Sequence, residues 1–210
     1  MSVTVLVTGF GPFPGAPFNP TGPLVRQLAG LRRPILADVK LAVHVFPTSY
    51  AAVDRDLPAL IAKHKPDALL MFGLAQRART LRIETVARNA VKLLPDVTGH
   101  TPLQRAIAPG RRSTLALSSP VAALLAATRA TRIPVVRSRD AGTYLCNYLC
   151  WRAGETANKS RQPRFATFVH VPPVRTHARP RKATKPRPAL GELTRIAGAL
   201  LIALVTAARR

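Results

Sequence analysis

The sequence predicts an α/β fold, a three-layer α/β/α sandwich with a mainly parallel, twisted sheet between helices. Short apolar runs rich in β-branched residues alternate with segments of helical spacing, which is the pattern of right-handed βαβ units. Residues 67–75 are apolar almost throughout, as expected for a central parallel strand buried on both faces. The chain has 210 residues, 47% of them hydrophobic, and no low-complexity break divides it. Residues 1–210 are therefore expected to form one domain.

Each strand is predicted from its composition and from the turn residues that bound it. The first, at residues 3–8, is a β-branched run that leads into the Gly/Pro-rich loop 9–15. Residues 81–91 alternate more between polar and apolar side chains, so an exposed or antiparallel strand is expected there. The other strands are predicted at residues 36–46, 67–75, 133–138 and 164–171.

The helices are predicted from apolar spacing and capping residues. Asn19 is expected to cap the first helix, with Pro20 at its first position. Ser118 or Ser119 is expected to cap a helix that ends near residue 130. Further helices are predicted from residue 49 or 50 to 64, at 142–153 and at 192–208. The run 196–207 is the most apolar, but its 12 residues are too few to cross a bilayer, which indicates a buried helix.

The charge of the chain is extreme, because 32 Lys and Arg stand against nine Asp and Glu, for a formal net charge of +23. Such a charge attracts nucleic acid, anionic membranes or acidic partners. Residues 175–188 contain six Lys or Arg, three Pro and no acid. They are predicted to form a mobile surface loop or, alternatively, a phosphate-binding arm. Aromatic residues make up only 5% of the chain and no reader motif is present, so no specific nucleic acid is expected.

The cysteine and glycine patterns limit the kind of site that the chain can hold. Cys146 and Cys150 are too few for a disulfide framework, which favours a reducing, cytoplasmic compartment. Their spacing, with histidines far away, matches no common zinc pattern, so no metal is expected. Gly9, Gly11 and Gly15 lack the dinucleotide-binding spacing, so no cofactor is expected. The first residues lack the features of a signal peptide, and no membrane association is predicted.

Candidate reactive residues follow the predicted strands, where the sites of open α/β sheets form. Cys146 is expected about one turn into its helix, where the helix dipole favours a thiolate, and Cys150 one turn deeper and more buried. His170 lies near the end of its strand. Glu84 is one of only nine acids, and as a buried carboxylate it needs a partner such as a histidine. From these residues alone, a core thiol and a structural histidine remain alternatives.

Four segments resemble the pyroglutamyl peptidase I (pyrrolidone-carboxylate peptidase) family of cysteine peptidases, in the order of that family. The segments are residues 5–22, 83–90, 140–149 and 168–172. The resemblance implies that Cys146 is the nucleophile, that His170 is its general base, and that Glu84 orients and charges the imidazole. A thiolate paired with an imidazolium can attack an amide carbonyl, after which the histidine protonates the leaving amine.

The resemblance also implies a substrate, a peptide with an N-terminal pyroglutamyl residue whose lactam ring is held between aromatic side chains. Phe10 and Phe13 fall on the pocket positions of the family, and Tyr144 and Leu145 are expected in the same apolar wall. Such a wall suits a flat, neutral ring. Assembly into a homo-oligomer is a further expectation.

The chain departs from the family at two positions, so it is expected to be a divergent member. Leu74 stands where a glutamine is expected, with Gln76 close by as a substitute, and Leu93 stands where an arginine is expected, beside Lys92. Lysine does not replace arginine as a donor. Two alternatives therefore stay open: a related cysteine amidase or peptidase with altered specificity, and a catalytically weakened basic binding protein on the same fold.

Overall fold

A mixed sheet of six strands forms the centre of the computed structural model, which describes residues 2–160, 162–175 and 187–210. In the described residues the strands are β1 (Thr4–Phe10), β2 (Lys40–Phe46), β3 (Ala68–Leu74), β4 (Leu81–Glu84), β5 (Val86–Arg88), β6 (Thr114–Ala116), β7 (Val135–Ser138) and β8 (Phe165–Val171). The sheet order is β2-β1-β3-β8-β4-β7, while β5 and β6 pair separately. Only β4 and β8 are antiparallel within the sheet, so the predicted mainly parallel sheet is confirmed.

Helices cover both faces of the sheet. They are α1 (Thr21–Ala29), α2 (Tyr50–His64), α3 (Val121–Ala127), α4 (Leu145–Ser160) and α5 (Leu190–Ala208). Buried side chains of α1, α3 and α5 share one apolar cluster with β1 and β3. Those of α2 and α4 share a second cluster on the opposite face. The three-layer α/β/α prediction is thus confirmed.

Helix α5 is long and apolar enough to cross a membrane by length and composition. Its side chains Leu200, Leu201 and Leu204 are fully buried, and they belong to the same cluster as Val5 and Leu70 of the central strands. The burial of one complete face against the sheet explains the apolar composition of α5. The predicted buried helix is confirmed.

The single strand predicted at residues 81–91 is wrong, because this segment forms β4 and β5, which belong to different sheets. The antiparallel pairing is confirmed for β4 against β8. The alternative of an exposed strand is wrong for β4, since Leu81, Ile83 and Glu84 are fully buried. β4 is an interior strand flanked by β8 and β7, and both of its neighbours come from distant parts of the chain.

Two predicted caps differ from the structure. Pro20 is the N-cap of α1, although the Asn19 side chain still accepts the N–H of the first helical residue, at 3.1 Å. Pro120, rather than either serine, is the N-cap of α3. The Ser118 hydroxyl donates to a carbonyl just before β8, and the Ser119 hydroxyl bonds a threonine hydroxyl within β8. Both serines therefore tie α3 to the sheet.

Other element boundaries also differ from those predicted. Residues Pro34–Leu36 form a short 3-10 helix, and β2 begins at Lys40, four residues later than predicted. Helix α4 begins at Leu145, because Gly142 has a φ of +78° that does not belong to a helix. Of the loop predicted at 175–188, residues 176–186 lie outside the described residues.

Candidate active site

Glu84 and His170 form a buried pair across the antiparallel strands β4 and β8. In this strand pair Glu84 lies opposite Phe168 and His170 lies opposite Arg82, so the two side chains are diagonal neighbours on one face. His170 Nδ1 is 2.8 Å from Glu84 Oε1, and the two residues are 6% and 0% exposed. The second carboxylate oxygen accepts the backbone N–H of Asp140, at 3.1 Å. Both oxygens of the buried carboxylate are therefore satisfied.

Cys146 reaches this pair from α4 through a gap left by a glycine. Gly73 of β3 lies directly beside His170 in the sheet register. A Cβ atom at Gly73 would lie 2.7 Å from Cys146 Sγ and 2.6 Å from Cζ of Phe168, closer than van der Waals contact allows. The missing side chain is therefore what lets the sulfur come down onto the sheet next to the imidazole. Cys146 is partly exposed, whereas Cys150 is buried, as predicted.

The surroundings of His170 favour its charged form. Burial lowers the pKa of the imidazole, but the charge of the nearby Cys146 sulfur and hydrogen bonds to Cys146 and Glu84 raise that pKa, to about 9. At neutral pH the imidazole therefore carries a proton between two acidic groups. Burial has the opposite effect on the second thiol, because it raises the pKa of Cys150 well above its ordinary value.

The N-terminus of α4 supplies the local electrostatics. Cys146 is the second residue of α4, not one turn inside it as predicted. The N–H groups of the first turn have no partner within a helix, and together with the helix dipole they attract negative charge. The sulfur therefore lies where this attraction is strongest.

Asn147 fixes the start of α4, and the sequence reasoning missed it. Its side chain is fully buried. It accepts the N–H of Arg88 at 2.8 Å and donates to the carbonyls of Arg88 and Ala90 at 2.8 and 2.9 Å. Asparagine is a poor residue for a helix interior, so its place directly after the candidate nucleophile was a signal of this tether.

A cleft of about 180 Å³ opens beside Cys146 and His170. The structure brings together six of the seven residues that the sequence singled out. These are Phe10, Phe13, Tyr144, Leu145, Cys146 and His170. Glu84, the seventh, does not line the cleft but lies against His170. Tyr144 is held in place by a hydrogen bond from its hydroxyl to the carbonyl of Pro95, at 2.9 Å.

Other cleft residues were not predicted from the sequence. Asn19, Thr48 and residues 141–143 also line the cleft. The side chains of Asn19 and Thr48 donate to the carbonyl of Gly11, at 2.9 and 3.1 Å, and so hold the loop after β1. With these groups occupied, the cleft has a mainly apolar wall with backbone groups at its edge.

The two departures from the family pattern have different positions. Leu74 lines the cleft. Gln76 cannot take its place, because its side chain donates to the carbonyl of Gly15, at 3.1 Å, and does not line the cleft. Leu93 is 40% exposed and Lys92 is exposed too, and neither lines the cleft. The Lys92 backbone N–H donates to the carbonyl of a cleft residue, Thr143, at 2.6 Å.

Comparisons with known proteins agree with this geometry. Residues 3–210 match the family model described as pyroglutamyl peptidase. The chain is 33% identical over 187 residues to a pyrrolidone-carboxylate peptidase of Thermococcus onnurineus, covering 89% of this chain and 90% of the relative. It is 30% identical over 210 residues to that of Bacillus subtilis, covering 100% and 94% of the two chains.

A solved structure, the pyrrolidone carboxyl peptidase from Thermococcus litoralis, superimposes with a TM-score of 0.86 at 26% identity. The match covers 97% of this chain and 94% of that one. Fold, site geometry and sequence similarity therefore agree over nearly the whole chain. The chain belongs to the pyroglutamyl peptidase family of cysteine peptidases.

Proposed function

We propose that this protein removes an N-terminal pyroglutamyl residue from peptides, with Cys146 as nucleophile. The observation that carries the proposal is the buried contact between His170 and Glu84, in which His170 lines the same cleft as Cys146. A cysteine, a histidine that can shuttle a proton and a carboxylate that holds the histidine form the set that amide hydrolysis by a thiol requires.

The proposed reaction has two halves. In the first, the Cys146 thiolate attacks the pyroglutamyl carbonyl, a C–S bond forms, and the His170 imidazolium gives its proton to the leaving amine as the C–N bond breaks. In the second, neutral His170 takes a proton from water, and the resulting hydroxide adds to the thioester and releases pyroglutamate and the thiolate. Glu84 holds the ring by its Nδ1 throughout. First-turn N–H groups of α4 are the proposed donors to the oxyanion.

The cleft suits the lactam ring by shape and polarity. Phe10 and Phe13 supply aromatic area on one side, and Tyr144 and Leu145 complete the wall. A volume of about 180 Å³ holds a five-membered ring rather than a long side chain. Leu74 makes the wall more apolar than a glutamine would, so backbone groups must read the lactam N–H and C=O.

The proposed setting is the cytoplasm, where a reactive thiol stays reduced. Both cysteines are free, in agreement with such a compartment. The proposed partners are peptides, without specific nucleic acid and without a membrane. Self-association also belongs to the proposal, and exposed apolar side chains such as Phe18, Leu94 and Leu103 offer contact area for it.

The first test is release of a fluorophore from a pyroglutamyl amide, with a prolyl amide as the control substrate. Cys146→Ser is expected to abolish release, whereas Cys150→Ala, at the buried thiol, keeps it. Iodoacetamide at neutral pH is expected to label Cys146 long before Cys150, because only Cys146 is accessible.

Each negative result has its own meaning. If the folded protein releases no fluorophore but its Cys146 alkylates quickly, the assignment of Cys146 as nucleophile stands and the proposed pyroglutamyl substrate is wrong. An amidase of altered specificity, favoured by Leu74 in the cleft, would then be the function to test with other amides. Equal labelling of both cysteines would contradict the assignment of Cys146 as the nucleophile.

A further inference from the structure

A second cleft, of about 380 Å³, lies apart from the active site and carries four arginines. Arg79 comes from the turn between β3 and β4, Arg132 from the approach to β7, and Arg175 and Arg187 from the two sides of residues 176–186. No residue lines both this cleft and the proposed active site. We call this second cleft, with its four arginines, the arginine cleft.

Backbone hydrogen bonds bring these distant segments together. The N–H of Leu81, two residues after Arg79, donates to the carbonyl of Pro134 at 3.0 Å. The N–H of Arg175 donates to the carbonyl of Pro188 at 2.9 Å. The pairing of β4 with β7 and the start of α5 therefore hold the backbone of the four arginines around one concavity.

Within the described residues, no ion pair neutralises the four arginines of the arginine cleft, and all four are exposed. Residues 176–186 contain no Asp or Glu that could supply one. The one carboxylate in the lining, Glu192, accepts the N–H of Ala189 at 2.7 Å at the start of α5.

Like charges around one concavity repel one another, and a bound anion removes that repulsion. Each guanidinium presents a planar fork of N–H donors that fits the oxygens of a phosphate, and the lining contains four such forks but no lysine. No aromatic residue lines this cleft in the described part of the chain, so no base can stack there.

We propose that the arginine cleft of Arg79, Arg132, Arg175 and Arg187 binds a chain of phosphate groups by its backbone, without reading a sequence. A single-stranded nucleic acid and inorganic polyphosphate share this chemistry. Repeated phosphates match a concavity of repeated guanidinium groups, because each phosphate accepts from a whole fork. This inference is independent of the peptidase reaction.

The test measures fluorescence anisotropy of a labelled oligouridylate of about 20 nucleotides at roughly physiological salt. One variant carries Gln at the four cleft arginines. A matched control variant removes four exposed charges that line neither the proposed active site nor the arginine cleft, namely Arg26→Gln, Lys40→Gln, Lys63→Gln and Arg105→Gln. Both variants lose the same net charge, so only the position of the charges differs.

The cleft variant is expected to bind the probe at least about tenfold more weakly, and its salt-dependence slope should fall by about 3, since each lost single-strand phosphate contact removes about 0.7. The control variant should stay within about threefold of the wild type. Thermal unfolding checks that both variants are folded, and it does not depend on peptidase activity, so a failed peptidase proposal would not affect this readout.

Three results would overturn the inference. Equal loss in the two variants would mean that total charge alone attracts the probe, and poly-glutamate competing as well as polyphosphate would indicate an acidic protein partner instead. Failure of the wild type to bind either the oligouridylate or polyphosphate would exclude a phosphate site. Binding of polyphosphate without binding of the oligouridylate would support the site and show that its ligand is polyphosphate rather than a nucleic acid.

Discussion

The His170 imidazole shows most directly how single residues decide the chemistry of this site. It is 6% exposed, its Nδ1 is held by Glu84 at 2.8 Å, and its pKa is raised to about 9. Burial alone would favour a neutral ring. The charge of this residue at neutral pH therefore depends on its two acidic neighbours, Cys146 and Glu84.

Glu84→Gln tests the orienting carboxylate. The amide keeps nearly the same volume but removes the charge that stabilises the imidazolium, so kcat/KM for a pyroglutamyl amide should fall by about 10²–10⁴-fold. Glu155→Gln, which removes a carboxylate paired with Arg152 on α4 far from the cleft, is the matched control and should leave the rate unchanged. An unchanged rate in Glu84→Gln, with an unchanged Tm, would show that the carboxylate has no orienting role.

The raised pKa of His170 also predicts a pH dependence. The group is protonated more readily in the folded state, so its stabilising effect is complete below the ordinary histidine pKa of about 6.5 and is lost as the pH rises through about 9. The leaving amine needs the same proton, so kcat/KM should decline above about pH 9. In Glu84→Gln this alkaline limb should move to lower pH. If kcat/KM declines at the same alkaline pH in both proteins, the decline belongs to a group other than His170.

At the scale of elements, the site depends on how closely α4 approaches the sheet. Three contacts set this distance. Cys146 lies against Gly73 of β3, and the Asn147 side chain is hydrogen-bonded to the β5 segment. In the loop before α4, the N–H of Asp140 donates to the Glu84 carboxylate. Each involves a different strand, so the position of the sulfur depends on how α4 and the loop before it lie against β3, β4 and β5.

Gly73→Ala tests this approach. The new Cβ would meet Cys146 Sγ and the Phe168 ring at less than 3 Å, which should cost about 1–3 kcal/mol of stability and, by displacing the sulfur, lower kcat/KM by about 10–100-fold. Gly191→Ala, with nothing within 4 Å of its Cβ, should change stability by less than about 1 kcal/mol and leave activity unchanged. Wild-type rates in Gly73→Ala would show that the sulfur does not need this gap.

At the scale of the whole molecule, a formal net charge of +23 in 210 residues repels itself in the folded state. The apolar clusters on the two faces of the sheet oppose this repulsion, since they bury complete faces of α4 and α5. Stability should therefore depend on ionic strength more than is usual for a domain of this size.

Raising sodium chloride from about 0.02 M to about 0.3 M shortens the range of the repulsion. We expect Tm to rise by about 2–4 °C for each kcal/mol that screening returns. Sodium sulfate at the same ionic strength separates screening from anion binding. A rise with sulfate alone would contradict general self-repulsion and indicate occupation of a specific anion site.

The local patterns of the chain predicted most of the fold. The apolar run at 67–75 contains the central strand β3, because a strand buried on both faces is apolar throughout. The run 196–207 is the buried part of α5, because a helix that buries one face has apolar residues at helical spacing. The local pattern does not show the burial of β4, because β4 is covered by β7 and β8, which lie far away in the sequence.

The sequence by itself determined the α/β class, the two unpaired cysteines, the charge and, through four ordered motifs, the family and its candidate residues. Only the tertiary structure decided that Glu84 meets His170 across 86 residues, that Gly73 leaves room for the sulfur, and that Gln76 turns away from the cleft. The arginine cleft likewise exists only where separate segments converge. Contacts of this kind depend on strand register and helix packing, which are set by interactions between distant segments and have no local signature.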